Sequence, residues 1–164
     1  YLIKALSVVN KKDLTIVLVG DYDLKTKAEL EKLAAKRHIL NLRFLGWLNT
    51  TQLTLLYNGA KMTILTCPEE WFGLVPIEAM SCGCPVIAWR DNFGPEEYII
   101  EGKNGYLAEP YSIESLGYCI SRALRTRWSK KEIAASVKKF SEQYTRGYVL
   151  NQVANILDMN KPIP

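Results

Sequence analysis

Two carboxylates eight positions apart, Glu70 and Glu78, are the residues of this 164-residue chain best placed to do chemistry. Met62 to Cys67 upstream is a short apolar run rich in β-formers, and Pro85 to Trp89 downstream is another. A helix-length segment between two such runs predicts a crossover between parallel strands. Pro76 suits the first turn of that helix and Gly83 the residue just past its end, so the helix is predicted from about Val75 to Cys82. Glu70 then falls in the loop at the carboxyl end of a strand, the side on which open parallel sheets bind ligands, and Glu78 in the first helical turn. The amides of Gly73, Leu74 and Val75 would favour an anion such as a diphosphate. A carboxylate at Glu78 repels phosphate and suits a vicinal diol such as a ribose. Spacing leaves a plainer alternative open, in which Glu78 only complements the helix dipole and Glu70 is a solvated loop charge.

The elements that must position these residues read as α/β. Tyr1 to Asn10 has apolar residues at 2, 3, 5, 6, 8 and 9 and predicts a helix; no capping residue precedes it, so it reads as the continuation of something longer. Leu14 to Val19 is a near-continuous β-branched run, as expected of a central strand covered on both faces, and Gly20 closes it. Lys25 to Arg37 is an amphipathic scaffold helix, and Leu42 to Gly46 is the next strand. Asn49 or Thr50 can cap a helix from about Gln52 to Gly59. Beyond the central stretch, Arg90 to Gly94 forms a loop at the same carboxyl edge, and Pro95 opens a helix over Glu96 to Glu101. Gly102 to Gly105 turns tightly into a last strand, Tyr106 to Glu109. Ser112 starts a helix to about Thr126, the Ser129 to Glu132 capping box opens another to about Tyr144, and Thr145 starts a last one to Met159.

Composition narrows the function classes. A 164-residue chain that is 48% hydrophobic and free of low-complexity segments reads as one domain, residues 1–164. Its apolar runs are broken within about ten residues, half of what a membrane helix needs, and the chain is expected to be cytoplasmic. Four cysteines, at 67, 82, 84 and 119, lack paired zinc spacing and read as small core residues, so no metal site is expected. His38 adjoins a helix end and reads as a surface or capping residue. Of the net +4 charge, a disproportionate share lies between Arg122 and Lys139, with seven basic residues and one acid. That patch allows peripheral contact with an anionic membrane, or two solvated helix faces. It lacks the interleaved aromatics that stack on bases, so no nucleic acid partner is expected.

The run Glu70-Trp71-Phe72-Gly73-Leu74-Val75-Pro76-Ile77-Glu78-Ala79-Met80, followed by Gly83 and Pro85-Val86-Ile87, resembles the E-x7-E signature of retaining glycosyltransferases of the GT-B fold, particularly family 4. Phe44-Leu45-Gly46-Trp47-Leu48 is similar to the family's Phe-Leu-Gly-x-Val, and Phe93-Gly94-Pro95-Glu96-Glu97 keeps one glycine and the glutamate of its Gly-Gly-x-x-Glu. Trp71 and Phe93 depart from the family pattern, as does Gly20-Asp21-Tyr22 from its usual Gly-x-Gly. The resemblance implies a Rossmann-like parallel sheet flanked by helices, one half of a GT-B fold, with C-terminal helices. It implies a nucleotide-diphosphate sugar as donor, with Glu78 on the ribose, Glu70 as the catalytic carboxylate near the sugar, and Phe72, Gly73, Leu74 and Val75 lining sugar and diphosphate. Gly20 would line the donor site, and backbone near Leu48 and Asn49 would meet the base, where Trp47 either stacks or packs. It also implies a metal-independent, cofactor-free transfer of a hexose to a glycan, lipid or small molecule. The acceptor would be held by an N-terminal domain of the same protein. An Arg and a Lys for the diphosphate would precede Tyr1, and the helix at about 145–160 would cross to that domain. Without them the chain would not be active alone. Two alternatives keep the fold: a non-catalytic nucleotide-binding or interaction module, and a nucleotide-sugar epimerase.

Overall fold

Four of the helices begin where a short polar side chain can take up a free backbone amide. In the computed structural model, which describes residues 1–7, 9 and 14–141, Asp23, Asn49, Ser112 and Ser129 each accept a bond from the amide three residues on. At Asn49 the bond is returned by the Gln52 side chain, completing a capping box. The resulting order is α1 (Leu2–Leu6), β1 (Ile16–Val19), α2 (Leu24–Lys36), β2 (Leu42–Gly46), α3 (Thr50–Gly59), β3 (Thr63–Ile64), α4 (Leu74–Ser81), β4 (Val86–Trp89), β5 (Gly105–Ala108), α5 (Ile113–Ala123) and α6 (Lys130–Ser136). Short 3-10 turns lie at Gly94–Glu97 and Lys138–Phe140. The helix expected at about 145–160 lies outside the described residues.

Every strand pairing among the described residues is parallel, but the strands form two ladders: β1 with β2, and β3, β4 and β5 in that order. Around β4 the layering follows from the period of two. Val86 and Ala88 face a core built with Ile77, Ala79 and Met80 of α4 and Ile133 of α6. Ile87 and Trp89 face a second core with Ala5 of α1 and Leu116, Cys119 and Ile120 of α5. All four residues of β4 are buried, as a parallel strand covered on both faces requires.

β1 departs from the central, doubly covered strand that its sequence predicts. Only Ile16 is buried, and Val19 is exposed. Its second edge does not reach β3; between them runs a cavity of about 940 Å³ lined by Leu14 to Gly20 on one side and Lys61 to Leu65 on the other. Other boundaries move less. The helix predicted over Glu96 to Glu101 is one 3-10 turn, because Glu101 leaves it to bridge in parallel with Gly105. α6 stops at Ser136, where Ser136 Oγ donates to the Ile133 carbonyl and accepts from Asn104 Nδ2. His38 has a φ of 57° and donates its amide to the Ala35 carbonyl, closing α2.

Candidate functional site

The two predicted carboxylates flank the start of α4, Glu70 in the loop before it and Glu78 within it, and the ends of the helix are fixed by two left-handed glycines. Gly83, with φ at 75°, stops the helix in a Schellman motif: its amide goes to the Met80 carbonyl and that of Cys84 to Ala79. Gly73, with φ at 80°, is the N-cap, and the helix starts at Leu74, one residue earlier than the sequence suggests. The shift moves Glu78 to the fifth helical position, in the second turn and not the first. The dipole interaction falls off within one turn, so the plainer role for Glu78 weakens. Its carboxylate is exposed on the cavity wall and takes no hydrogen bond or ion pair from the described residues. It raises the pKa of two neighbours: the buried Tyr57 phenol and the Cys82 thiol go up from burial first and from Glu78 second.

Glu70 is differently employed. Its Oε1 accepts the Gly73 amide at 3.1 Å, and its carbonyl accepts the Gly94 amide at 2.9 Å. The first consumes one of the three amides expected to meet an anion, and Pro76 has none, so the first turn of α4 offers those of Leu74 and Val75. The loop is held from below by Tyr98, whose hydroxyl donates to the carbonyls of Phe72 at 2.8 Å and Gly73 at 3.2 Å. Burial, and then Glu70 beside it, pushes the Tyr98 phenol far above its ordinary range, so it stays a donor. Phe72 and Tyr98 both pack edge-on against Phe140.

Sequence reasoning missed this brace, since nothing local distinguishes Tyr98 from any apolar residue. Asn104, expected only to turn the chain, is fully buried. Its Oδ1 accepts the Ile100 amide, and its Nδ2 donates to the Tyr98 carbonyl and Ser136 Oγ. Gly94, expected in the carboxyl-edge loop as the retained glycine of the Gly-Gly-x-x-Glu pattern, allows two loops to touch. A Cβ there would lie 2.5 Å from both Phe72 Cα and the Trp71 oxygen.

The cavity brings together residues from three crossover units: Gly20 after β1, Trp47 and Leu48 after β2, and Val75 and Glu78 of α4. Trp47, open between stacking and packing, is 73% exposed and lines the cavity. Leu74 is exposed beside it but, like Glu70, Phe72, Gly73 and Asn49, is not part of its wall. The Asn49 amide and side chain are both committed to the α3 capping box, and its carbonyl accepts the Leu53 amide at 2.9 Å, so its polar groups are all engaged in starting α3. Among the described residues no three His, Cys, Asp or Glu are grouped to hold a metal ion, and no helix is long and apolar enough to cross a membrane. The four cysteines are free thiols. Several basic residues of the Arg122 to Lys139 patch are tied into the fold, with Arg122 over the Tyr106 ring and Lys130 Nζ donating to the Asn58 carbonyl.

A family profile described as glycosyl transferases group 1 matches residues 1–143. A poly(glycerol-phosphate) alpha-glucosyltransferase of Bacillus subtilis is 32% identical over 107 residues, 61% of this chain and 16% of that protein. The alpha-1,3/1,6-mannosyltransferase alg-2 of Neurospora crassa is 31% identical over 115 residues, 70% of this chain and 24% of that protein. Among solved structures, the apo form of the lipopolysaccharide outer core galactosyltransferase WaaB superposes with a TM-score of 0.77 at 20% identity, covering 95% of this chain and 45% of that one. Anabaena HepE in complex with UDP and glucose superposes with a TM-score of 0.67 at 27% identity, covering 96% and 44%. The chain therefore spans less than half the length of these relatives.

Proposed function

The chain belongs to the glycosyl transferases group 1 family, and we propose that it is the donor-binding half of a retaining hexosyltransferase that uses a nucleotide-diphosphate sugar. The observation that carries this reading is the Glu78 carboxylate, unpartnered among the described residues, on a cavity wall shared with Val75, Leu48, Trp47 and Gly20. A carboxylate with no protein partner can accept both hydroxyls of a ribose. The Leu74 and Val75 amides at the start of α4 take the diphosphate, and their partial positive charge stabilises it as it departs. Trp47 supplies a ring face for the base, and Glu70 orients the hexose for front-face transfer. A structural neighbour solved with UDP and glucose makes uridine diphosphate the first nucleotide to try.

The facing edges of β1 and β3, unpaired among the described residues, support a further part of the proposal. A parallel strand from an upstream stretch of the same protein would join the two ladders into one sheet and fill the cavity between residues 14–19 and 61–65, leaving its mouth at Gly20, Trp47, Leu48, Val75 and Glu78 to the donor. Tyr1 packs edge-on against Trp89 at the carboxyl end of β4, so a stretch leading into it arrives at the edge where Glu78 lies. From there the polypeptide can bring cations to the diphosphate and connect to an acceptor-binding domain.

Amide-shift NMR titration with UDP, GDP, ADP and their sugar conjugates tests the reading. The expected result is that one nucleotide shifts Leu74, Val75 and Leu48 together, and that Glu78→Ala weakens it by about 1.5–3 kcal/mol, the worth of a hydrogen bond to a charged group. A loss below about 0.5 kcal/mol would remove Glu78 from the site.

A further inference from the structure

Beside the cavity, and outside it, the structure presents an aromatic ledge that the donor site does not use. Trp71 is 81% exposed. It follows Glu70 directly, yet the two side chains part company, with Glu70 turned inward to the Gly73 amide and Trp71 absent from the cavity wall. An indole left in water is disfavoured, and a mobile loop would fold it away. This loop cannot do so freely. Its backbone is tied to the next loop by the Gly94 amide on the Glu70 carbonyl and by the Glu69 amide on Asp91 Oδ2 at 3.2 Å. Phe93 then packs edge-on against the indole, with ring centroids 5.1 Å apart, leaving a face of Trp71 open.

The surroundings of the ledge say what it would hold. Glu69, Asp91 and Asn92 are its chain neighbours, with Glu96 tied to the Asn92 amide. The Asn92 side-chain amide has no partner among the described residues. Such a rim repels phosphate and any other anion but offers acceptors for hydroxyl groups. A pyranose matches both features, since one face presents polarised C–H groups to the negative face of an aromatic ring while its edge presents hydroxyls. We propose that Trp71, backed by Phe93, is a saccharide subsite for an uncharged pyranose, on the acceptor side of the donor crevice. Its placement on the acceptor side rests on the glycosyltransferase reading; the binding of a sugar does not.

The test is a titration of the chain, 15N-labelled at its tryptophan indoles, with methyl glucopyranoside, methyl mannopyranoside and maltotriose, and separately with UDP. The Trp71 indole resonance is identified by its loss in Trp71→Phe. It should move saturably with a saccharide, Trp71→Ala should weaken that affinity about tenfold, and Trp71→Phe should keep most of it. Because Trp71 is exposed, the alanine variant should keep the wild-type unfolding midpoint. An unmoved Trp71 resonance, an unchanged affinity in Trp71→Ala, or displacement of the saccharide by UDP would overturn the proposal. So would oligolysine moving that resonance at lower concentration than any saccharide, which would make the ledge a docking face for a basic segment. If UDP, GDP and ADP all leave the protein unmoved while a saccharide moves Trp71, the donor reading fails and the ledge stands.

Discussion

A hydroxyl that holds the Glu70 loop also forbids a side chain at Gly73, and the two effects can be separated by a double-mutant cycle. A Cβ on Gly73 would lie 2.6 Å from Tyr98 Oη, with Glu70 Cγ and Pro76 Cγ at 3.3 Å as milder contacts. The phenol cannot swing aside, because its ring is buried and packed against Phe140. Gly73→Ala therefore carries the strain of a left-handed φ, about 1–2 kcal/mol, and an overpacking cost of about 1–2 kcal/mol against the hydroxyl. Tyr98→Phe alone loses the hydrogen bond to the Phe72 and Gly73 carbonyls, about 1 kcal/mol. In the double variant the clash is gone and only the strain and the lost bond remain. It should be about 1.5 kcal/mol more stable than additivity of the single losses requires. Urea unfolding followed by far-ultraviolet circular dichroism reads all four corners of the cycle. Additivity within about 0.5 kcal/mol would mean that Tyr98 does not sit over Gly73, and the brace would be refuted.

Asn104→Ala should destabilise by about 3 kcal/mol, since it strands the Ile100 amide and the Tyr98 carbonyl inside the fold; chemical denaturation measures it. Gly83→Ala should lower the melting temperature sharply, because it combines a φ of 75° with a Cβ 2.6 Å from Lys130 Cβ and 2.9 Å from the Lys130 carbonyl; a melting temperature within a degree or so of wild type would contradict the packing of α4 on α6. Burial holds the Cys84 and Cys119 thiols above their ordinary value of 9.0, so they stay protonated in the fold while those of an unfolded chain ionise. Their contribution is complete below pH 9 and is lost as pH rises through the folded values. Unfolding free energies across that range should fall less in a Cys84→Ala, Cys119→Ala variant than in wild type.

Local chemistry made much of this fold legible. β2 was readable to the residue as a short apolar run closed by Gly46, and α3 from a cap that satisfies its own amides. Gly83 marked the end of α4 because only a left-handed residue closes a Schellman motif without strain. What stayed illegible depends on partners distant in sequence. β1 has the composition of a central strand, yet its burial depends on what pairs with its second edge. The start of α4 is set by Glu70 and Tyr98 acting on Gly73, and Tyr98 arrives 25 residues later. Asn104 reads as a turn residue from its neighbour Gly105, whereas its side chain joins α6 to the chain segment carrying Tyr98.

The two glutamates divide along α4 in a way that spacing alone does not convey. Glu70 has one oxygen committed to the loop, so it acts on the geometry of Gly73 whether or not a ligand is present. Glu78 is committed to nothing in the described fold and points its charge at the cavity. Between them lie the two amides that remain free, and Val75 and Glu78 are separated by about 4.5 Å of helix rise. An anion at the amides and a diol at Glu78 can therefore be held at once without bringing phosphate against the carboxylate. With Glu78 in the first turn the two would compete for one place; the left-handed Gly73, by starting the helix one residue earlier, moves the carboxylate clear of it.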